Sequence, residues 1–158
     1  MVPSPISTMF RGQFTHTIDA KGRISLPARF RDSIVAGGDP RLVLTPSPSE
    51  PCLHLYPFSD WLEFERKISE LPRFDPQIVR FRRLYVSAAV ECELDKNGRL
   101  LVVPDLRERA RLAREVLWAG MGRFIELWSK ELWDEAMAPL PESEQQRFMK
   151  SMEELIRI

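Results

Sequence analysis

Asp19-Ala20-Lys21-Gly22-Arg23-Ile24-Ser25-Leu26-Pro27 decides the fold, because the chain repeats it 76 positions later as Asp95-Lys96-Asn97-Gly98-Arg99-Leu100-Leu101-Val102-Val103-Pro104. In both copies an aspartate opens a turn, a glycine follows three residues on, an arginine leads an apolar run and a proline closes it. Aspartate can accept hydrogen bonds from the backbone just downstream, and glycine supplies the positive φ of a tight reversal, so each turn is encoded locally. A recurrence of this length marks a duplicated module that presents two matched arginines.

Working outward, Phe10, Gly12, Phe14, His16 and Ile18 alternate with Arg11, Gln13, Thr15 and Thr17, which predicts a strand with one buried face leading into the first turn. Arg23 to Leu26 resumes the strand. Pro27 suits a helix start, so Ala28 to Ile34 is expected to be a short helix ended by Gly37 and Gly38. Leu42 to Thr45 and Leu53 to Tyr56 follow as strands, then a helix beginning near Trp61. The order recurs in the second half, with strands at Val86 to Leu94, Arg99 to Val103, Val116 to Ala119 and Phe124 to Trp128, and helices at Pro104 to Ala113 and Glu131 to Met137. Leu53, Leu55 and Trp61 match Ile125, Leu127 and Trp133 at a constant offset of 72, so whole modules are duplicated. The second copy has one more residue between arginine and proline, which predicts a bulge there. Pro76 to Tyr85 reads as a connecting helix. Glu142 to Ile158 reads as a terminal one carrying Phe148, Met152, Leu155 and Ile156 at helical spacing.

The expected organisation is therefore one compact α+β unit: a disordered extension over 1–8, a first repeat over 9–75, a second over 76–140 and a C-terminal helix over 141–158. A chain of 158 residues with 44% hydrophobic content can bury a sizeable core but has little room for two large domains. With no apolar run of bilayer length and no secretion signal, a cytoplasmic location is expected. The net charge is zero, yet it is unevenly placed: +3 over 9–35, −3 over 36–76, +4 over 77–114 and −4 over 115–158. Both positive segments contain the repeated motif, so folding can assemble a basic face on a neutral chain.

Met9-Phe10-Arg11-Gly12, the Asp19 to Arg23 turn, Pro27-Ala28-Arg29-Phe30-Arg31 and Glu91-Cys92-Glu93-Leu94 with its Asp95 to Arg99 turn resemble the bacterial MraZ family over nearly everything from Met9 onward. The resemblance implies an internally duplicated AbrB-like swapped-hairpin β-barrel with short helices. It also implies a transcriptional regulator of the division and cell-wall gene cluster, acting as a ring-shaped homo-oligomer on promoter direct repeats and associated with the nucleoid. The family's Asp-x-x-x-Arg element maps onto Asp19 with Arg23 and onto Asp95 with Arg99. Asn97 departs from the lysine found at Lys21.

Chemistry supports double-stranded DNA as the partner. Arginine presents a rigid fork that pairs bidentately with guanine, while lysine and backbone N–H groups hold phosphates. Arg23 is expected to contact bases or phosphate, with Arg99 as a second contact and Lys21 and Lys96 on phosphate. Asp19, Gly22, Asp95 and Gly98 are expected to shape the turns, and the larger loss on mutation is expected at Arg23. Arg29, Arg31, Arg107 and Arg109 are assigned to solvated helix faces or intersubunit salt bridges. The alternative is a ring-forming protein-interaction scaffold without specific DNA reading. No membrane partner, small-molecule substrate or cofactor is expected, and no enzyme: His16 and His54 are the only ordinary bases, and no nucleophile or phosphate-loop motif occurs. Cys52 and His54 share a strand face, but with Cys92 they offer at most three soft ligands, so no metal is expected either.

Overall fold

The computed structural model describes residues 9–157; the extension expected over 1–8 and the terminal Ile158 lie outside the described residues. Among the described residues, eight strands and four of six α-helices fall into two matching series. The first copy runs β1 (Gln13–Thr17), β2 (Arg23–Ser25), α1 (Ala28–Ala36), β3 (Arg41–Pro46), β4 (Cys52–Pro57) and α2 (Phe58–Ser69). A linker helix α3 (Pro76–Phe81) passes into a π-helical turn over Arg82–Val86. The second copy runs β5 (Val90–Glu93), β6 (Arg99–Leu101), α4 (Pro104–Arg109), β7 (Glu115–Gly120), β8 (Ile125–Ser129) and α5 (Lys130–Ala136), and α6 (Glu142–Ile156) ends the chain.

The strands form a six-stranded antiparallel sheet in the order β1-β7-β8-β4-β3-β5 and a two-stranded ribbon of β2 with β6. Exchanging the copies leaves this order unchanged, since β1 trades with β5, β7 with β3 and β8 with β4. The registers obey the same exchange. Ile24 faces Leu100 at the centre of the ribbon, and His54 faces Glu126 at the centre of the β4–β8 pair. A pseudo-two-fold axis therefore passes through these two pairs. Each hairpin is swapped: β1 and β2 of the first copy pair with β7 and β6 of the second, and β5 of the second pairs with β3 of the first. Strand exchange of this kind makes the two halves inseparable, because neither completes its sheet alone.

The ribbon packs on one face of the large sheet. Ile24 and Leu100 from the ribbon, Leu42, Leu44, Leu53 and Leu55 from the first copy, and Val116, Trp118, Ile125 and Leu127 from the second form one core cluster, closed by Phe30 and Ile34 of α1 and Leu106 of α4. Trp118 spans it, its indole N–H donating to the Ser25 carbonyl at 3.1 Å. The opposite face carries a second cluster, Val43, Tyr56, Trp61 and Tyr85, against which Phe64 of α2 and Phe81 of α3 pack. No residue of α6 is buried; Phe148, Met149, Leu155 and Ile156 are exposed along it. Among the described residues no helix is long and apolar enough to cross a membrane.

Several expected boundaries shift for physical reasons. The first strand begins at Gln13, because Gly12 adopts φ +104° and leaves Phe10 in an isolated bridge to Gly122. The strand expected from Val86 begins at Val90, because the π turn consumes Arg82 to Val86 and Ser87 N–H bonds back to the Arg82 carbonyl at 2.9 Å. The helix expected to reach Ala113 ends at Arg109, and the terminal helix ends at Ile156. The predicted bulge is not formed. Leu26 N–H bonds to the Gly98 carbonyl and Val102 N–H to the Gly22 carbonyl, so the copies remain matched at the offset of 76 through Leu26 and Val102. The match continues into the helices, where Arg31 N–H bonds to the Pro27 carbonyl and Arg107 N–H to the Val103 carbonyl. The extra residue moves the proline from N-cap, at Pro27, to first helical position, at Pro104, which tolerates a missing N–H equally well.

Candidate nucleic-acid interface

The two turns are built the same way. Asp19 Oδ1 accepts the backbone N–H groups of Lys21 and Arg23, each at 2.9 Å, and its Oδ2 accepts Arg23 Nε–H at 2.7 Å. Asp95 Oδ1 accepts the N–H groups of Asn97 at 2.8 Å and Arg99 at 2.9 Å, and Oδ2 accepts Arg99 Nε–H at 3.0 Å. Each carboxylate thus closes its turn with one oxygen and aims its arginine with the other. The backbone N–H of Arg23, followed by its guanidinium and the Lys21 N–H, holds the Asp19 carboxyl at about 2, with partial desolvation opposing them. Asp95 is lowered in the same way, the Arg99 backbone N–H being the largest cause.

Gly22 and Gly98 are required by both backbone and space. They adopt φ +86° and +74°. A Cβ on Gly22 would lie 2.8 Å from the Val102 carbonyl oxygen and 2.9 Å from Arg107 Nε, and one on Gly98 would overlap the Arg31 side chain. Each glycine is therefore covered by an arginine from the other copy's helix.

This placement revises one expectation. Arg31 and Arg107 are not fully solvated: they are half-buried, form no salt bridge among the described residues and brace the turns from across the pseudo-dyad, and Arg107 Nε is buried with no hydrogen-bond partner among those residues. A signal for them existed in the sequence, since Arg31 and Arg107 recur at the same offset of 76 as Arg23 and Arg99. Arg29 and Arg109 are exposed, Arg109 lying 3.6 Å from Asp105.

The ribbon brings the motif arginines together. Ile24 and Leu100 are fully buried, so alternation turns Arg23, Ser25, Arg99 and Leu101 to the outer face. Arg23 faces Leu101 and Arg99 faces Ser25, which makes the arginines diagonal neighbours with about 7–8 Å between backbones. Because aspartate occupies each Nε, the terminal nitrogens carry no hydrogen bond among the described residues, and both side chains remain about one-third exposed, at 32% and 29%. Lys21 and Lys96 are exposed at opposite ends of the ribbon, since Gly22 bonds to Val102 while Gly98 bonds to Leu26. Four strand residues separate these levels, about 13 Å.

The three soft ligands weighed from sequence, Cys52, His54 and Cys92, do not lie together. Cys92 on β5 packs against the central core, whereas Cys52 and His54 on β4 lie on the opposite face of the sheet, where Glu126 of β8 joins them. Burial, followed by the Glu126 and Glu50 charges, pushes the Cys52 thiol far above its ordinary value, the reverse of an activated nucleophile.

A duplicated, hairpin-exchanged α+β fold with two aspartate-aimed arginines on one exposed ribbon defines a class of protein built to present paired cationic turns. A family profile described as "MraZ protein, putative antitoxin-like" matches residues 9–84 and again 85–155. Similar proteins, each named transcriptional regulator MraZ and none an enzyme, include one from Marinomonas sp. strain MWYL1, 45% identical over 126 residues, or 80% of this chain and 83% of that one. One from Anaeromyxobacter dehalogenans strain 2CP-C is 45% identical over 130 residues, covering 82% and 90% of the two chains. One from Saccharophagus degradans is 37% identical over 137 residues, covering 87% and 93%. The chain belongs to the MraZ family.

Proposed function

We propose that this chain is a sequence-specific DNA-binding transcriptional regulator. Arg23 and Arg99 enter the major groove on the β2–β6 ribbon, Lys21 and Lys96 hold phosphates, and Asp19 and Asp95 keep the guanidinium forks aimed. The observation that carries this reading is the pair of arginines on one exposed face with Nε committed and the terminal nitrogens free among the described residues. A two-stranded ribbon is one of the elements a major groove admits, and with Nε committed a guanidinium can still pair bidentately with guanine through its two terminal nitrogens.

The relatives' shared name supports regulation as the role. The finer reading is that the large sheet and ribbon curl into one barrel, and that chains assemble into a ring on promoter direct repeats upstream of the division and cell-wall gene cluster, in the nucleoid. The shared core between ribbon and sheet, together with the Ile18–Ile24 bridge, supports the barrel. The exposed apolar residues of α6 are consistent with contacts between chains. Repeats about 10 bp apart would place neighbouring subunits on one side of the duplex. A single weak contact would then be multiplied along the DNA.

The test is a titration of the full chain against DNA from upstream of its own gene cluster and against shuffled DNA, at two salt concentrations. The proposal expects preference for the upstream DNA and weakening with salt. Equal or absent binding would reject DNA reading and favour a protein-binding scaffold.

A further inference from the structure

Cys52, His54 and Glu126 meet on the pseudo-dyad, away from the ribbon. His54 and Glu126 face each other across β4 and β8, and Cys52 lies two residues from His54 on the same strand face. One ligand atom from each residue lies within 4.8 Å of the others. His54 Nε2 is 3.5 Å from Glu126 Oε2, and Cys52 Sγ is 3.8 Å from the same oxygen. A tetrahedral metal with ordinary zinc bond lengths holds nitrogen and oxygen about 3.3 Å apart and sulfur and oxygen about 3.6 Å apart. These two separations need to contract by a few tenths of an ångström, and the histidine nitrogen and cysteine sulfur, within 4.8 Å of each other, need to close to about 3.6 Å.

A second observation points into the same space: His54 Nε2 is buried without a hydrogen-bond partner among the described residues. The remaining atoms of the histidine and the carboxylate are held from outside, as the outer partners of metal ligands usually hold them. His54 Nδ1 is 2.6 Å from the Tyr85 hydroxyl, which is 2.6 Å from the Tyr56 hydroxyl. Glu126 Oε1 accepts the Trp128 indole N–H at 3.0 Å, leaving Oε2 for the centre. With the proton on Nδ1 and donated to Tyr85, Nε2 offers its lone pair toward Cys52 and Glu126.

We propose that Cys52, His54 and Glu126 form a binding site for a divalent transition metal of the zinc class at the seam between the two copies. Binding forms metal–sulfur, metal–nitrogen and metal–oxygen bonds and releases the Cys52 thiol proton to solvent, with no redox change. Three protein ligands leave one coordination position open. The metal would cross-link β4 to β8, and so one repeat to the other, without touching the arginine ribbon.

Titration of the full chain with Co²⁺ as the probe, followed by displacement with Zn²⁺, tests this. The expected result is a sulfur-to-cobalt charge-transfer band and tetrahedral d–d bands that saturate at one equivalent per chain and are bleached by Zn²⁺. The charge-transfer band should disappear in Cys52→Ser and persist in Cys92→Ser, and Glu126→Gln should weaken binding at least tenfold. Circular dichroism checks that each variant is folded, and one equivalent of Zn²⁺ should raise the melting temperature of the parent chain but not of Cys52→Ser. A spectrum without sulfur charge transfer, saturation at several equivalents, or a band lost in Cys92→Ser but retained in Cys52→Ser would overturn the site.

Discussion

Replacing Arg23 with alanine should separate DNA reading from folding. Its Nε is 2.7 Å from Asp19 Oδ2, and the side chain is about one-third exposed, so the terminal nitrogens face solvent on the outer face of the ribbon. A bidentate arginine–guanine pair discriminates bases by about 1–3 kcal/mol. That range converts to roughly 5- to 150-fold in Kd for each engaged subunit, and the factors multiply when neighbouring subunits sit on consecutive repeats. Folding should change little, because the ion pair with Asp19 lies in solvent, where screening removes most of its value. Arg99→Ala should show the same effect in smaller measure. Its geometry matches, at 3.0 Å from Asp95 Oδ2 and 29% exposed, but its turn carries Asn97 where the first carries Lys21. Arg23→Lys keeps the charge and loses the planar fork, so it should retain binding to shuffled DNA while losing preference for the promoter. Fluorescence anisotropy with promoter and shuffled duplexes measures each quantity. Unchanged promoter preference in both alanine variants would refute the assignment of the ribbon as the reading surface.

Four further outcomes follow from the same geometry. Lys21→Ala should lower the slope of log K against log salt by about 0.9 for each engaged subunit while sparing sequence preference, which a salt series would show. The Asp19 carboxyl is held at about 2 against an ordinary 3.8; because the folded value is depressed, its contribution to stability is complete above the ordinary value and lost as pH falls through about 2. A carboxyl-carbon NMR titration should place the midpoint near 2, and a midpoint at the ordinary value would mean that the turn hydrogen bonds do not persist. Gly22→Ala should destabilise by at least about 1 kcal/mol in urea unfolding, and by more than Gly98→Ala, since its Cβ meets the fixed Val102 carbonyl, whereas the Gly98 Cβ meets a movable arginine. Ile24→Ala at the fully buried dyad should cost about 2–5 kcal/mol in the same assay, while Val35→Ala, at 76% exposed, should be near neutral.

The turns were legible because their chemistry is local. Aspartate, glycine and arginine at fixed spacing determine the hydrogen bonds observed, and the repeat doubled the signal. Alternation placed Phe10 and Ile18 in the core, but the break at Gly12 left no mark in hydrophobic period. The unequal arginine-to-proline spacing suggests a bulge only if the copies are matched on proline; the backbone matches them on Leu26 with Val102 and lets proline slide one helix position. The sequence points Arg31 and Arg107 to solvent or to a neighbouring subunit, because a short helix read alone does not disclose that its arginine crosses to the opposite repeat. Glu126 was missed for the same reason: it joins Cys52 and His54 through the β4–β8 register, a long-range pairing invisible to spacing along one strand.

The pseudo-dyad explains why the copies could diverge where they did. In a symmetric dimer, a residue on the axis meets its own twin, so a side chain there must tolerate itself. Duplication into one chain lifts that constraint, and the axis positions 54 and 126 now hold a histidine and a glutamate, a pair that two identical subunits could not place opposite each other at that position. At the ribbon the axis still joins two apolar residues, Ile24 and Leu100, because both must fill the same core. The arginines flank that apolar pair and remain equivalent in backbone position, so their environments can differ only through neighbours such as Lys21 and Asn97. The copies thus differ in polarity at the turn tips and at the His54–Glu126 end of the axis. At the ribbon centre both residues are apolar, and a change in either would disturb the spacing of the two guanidinium forks. Replacing Ile24 should accordingly impair DNA reading through geometry even when the chain remains folded, whereas replacing Glu126 should leave that reading intact.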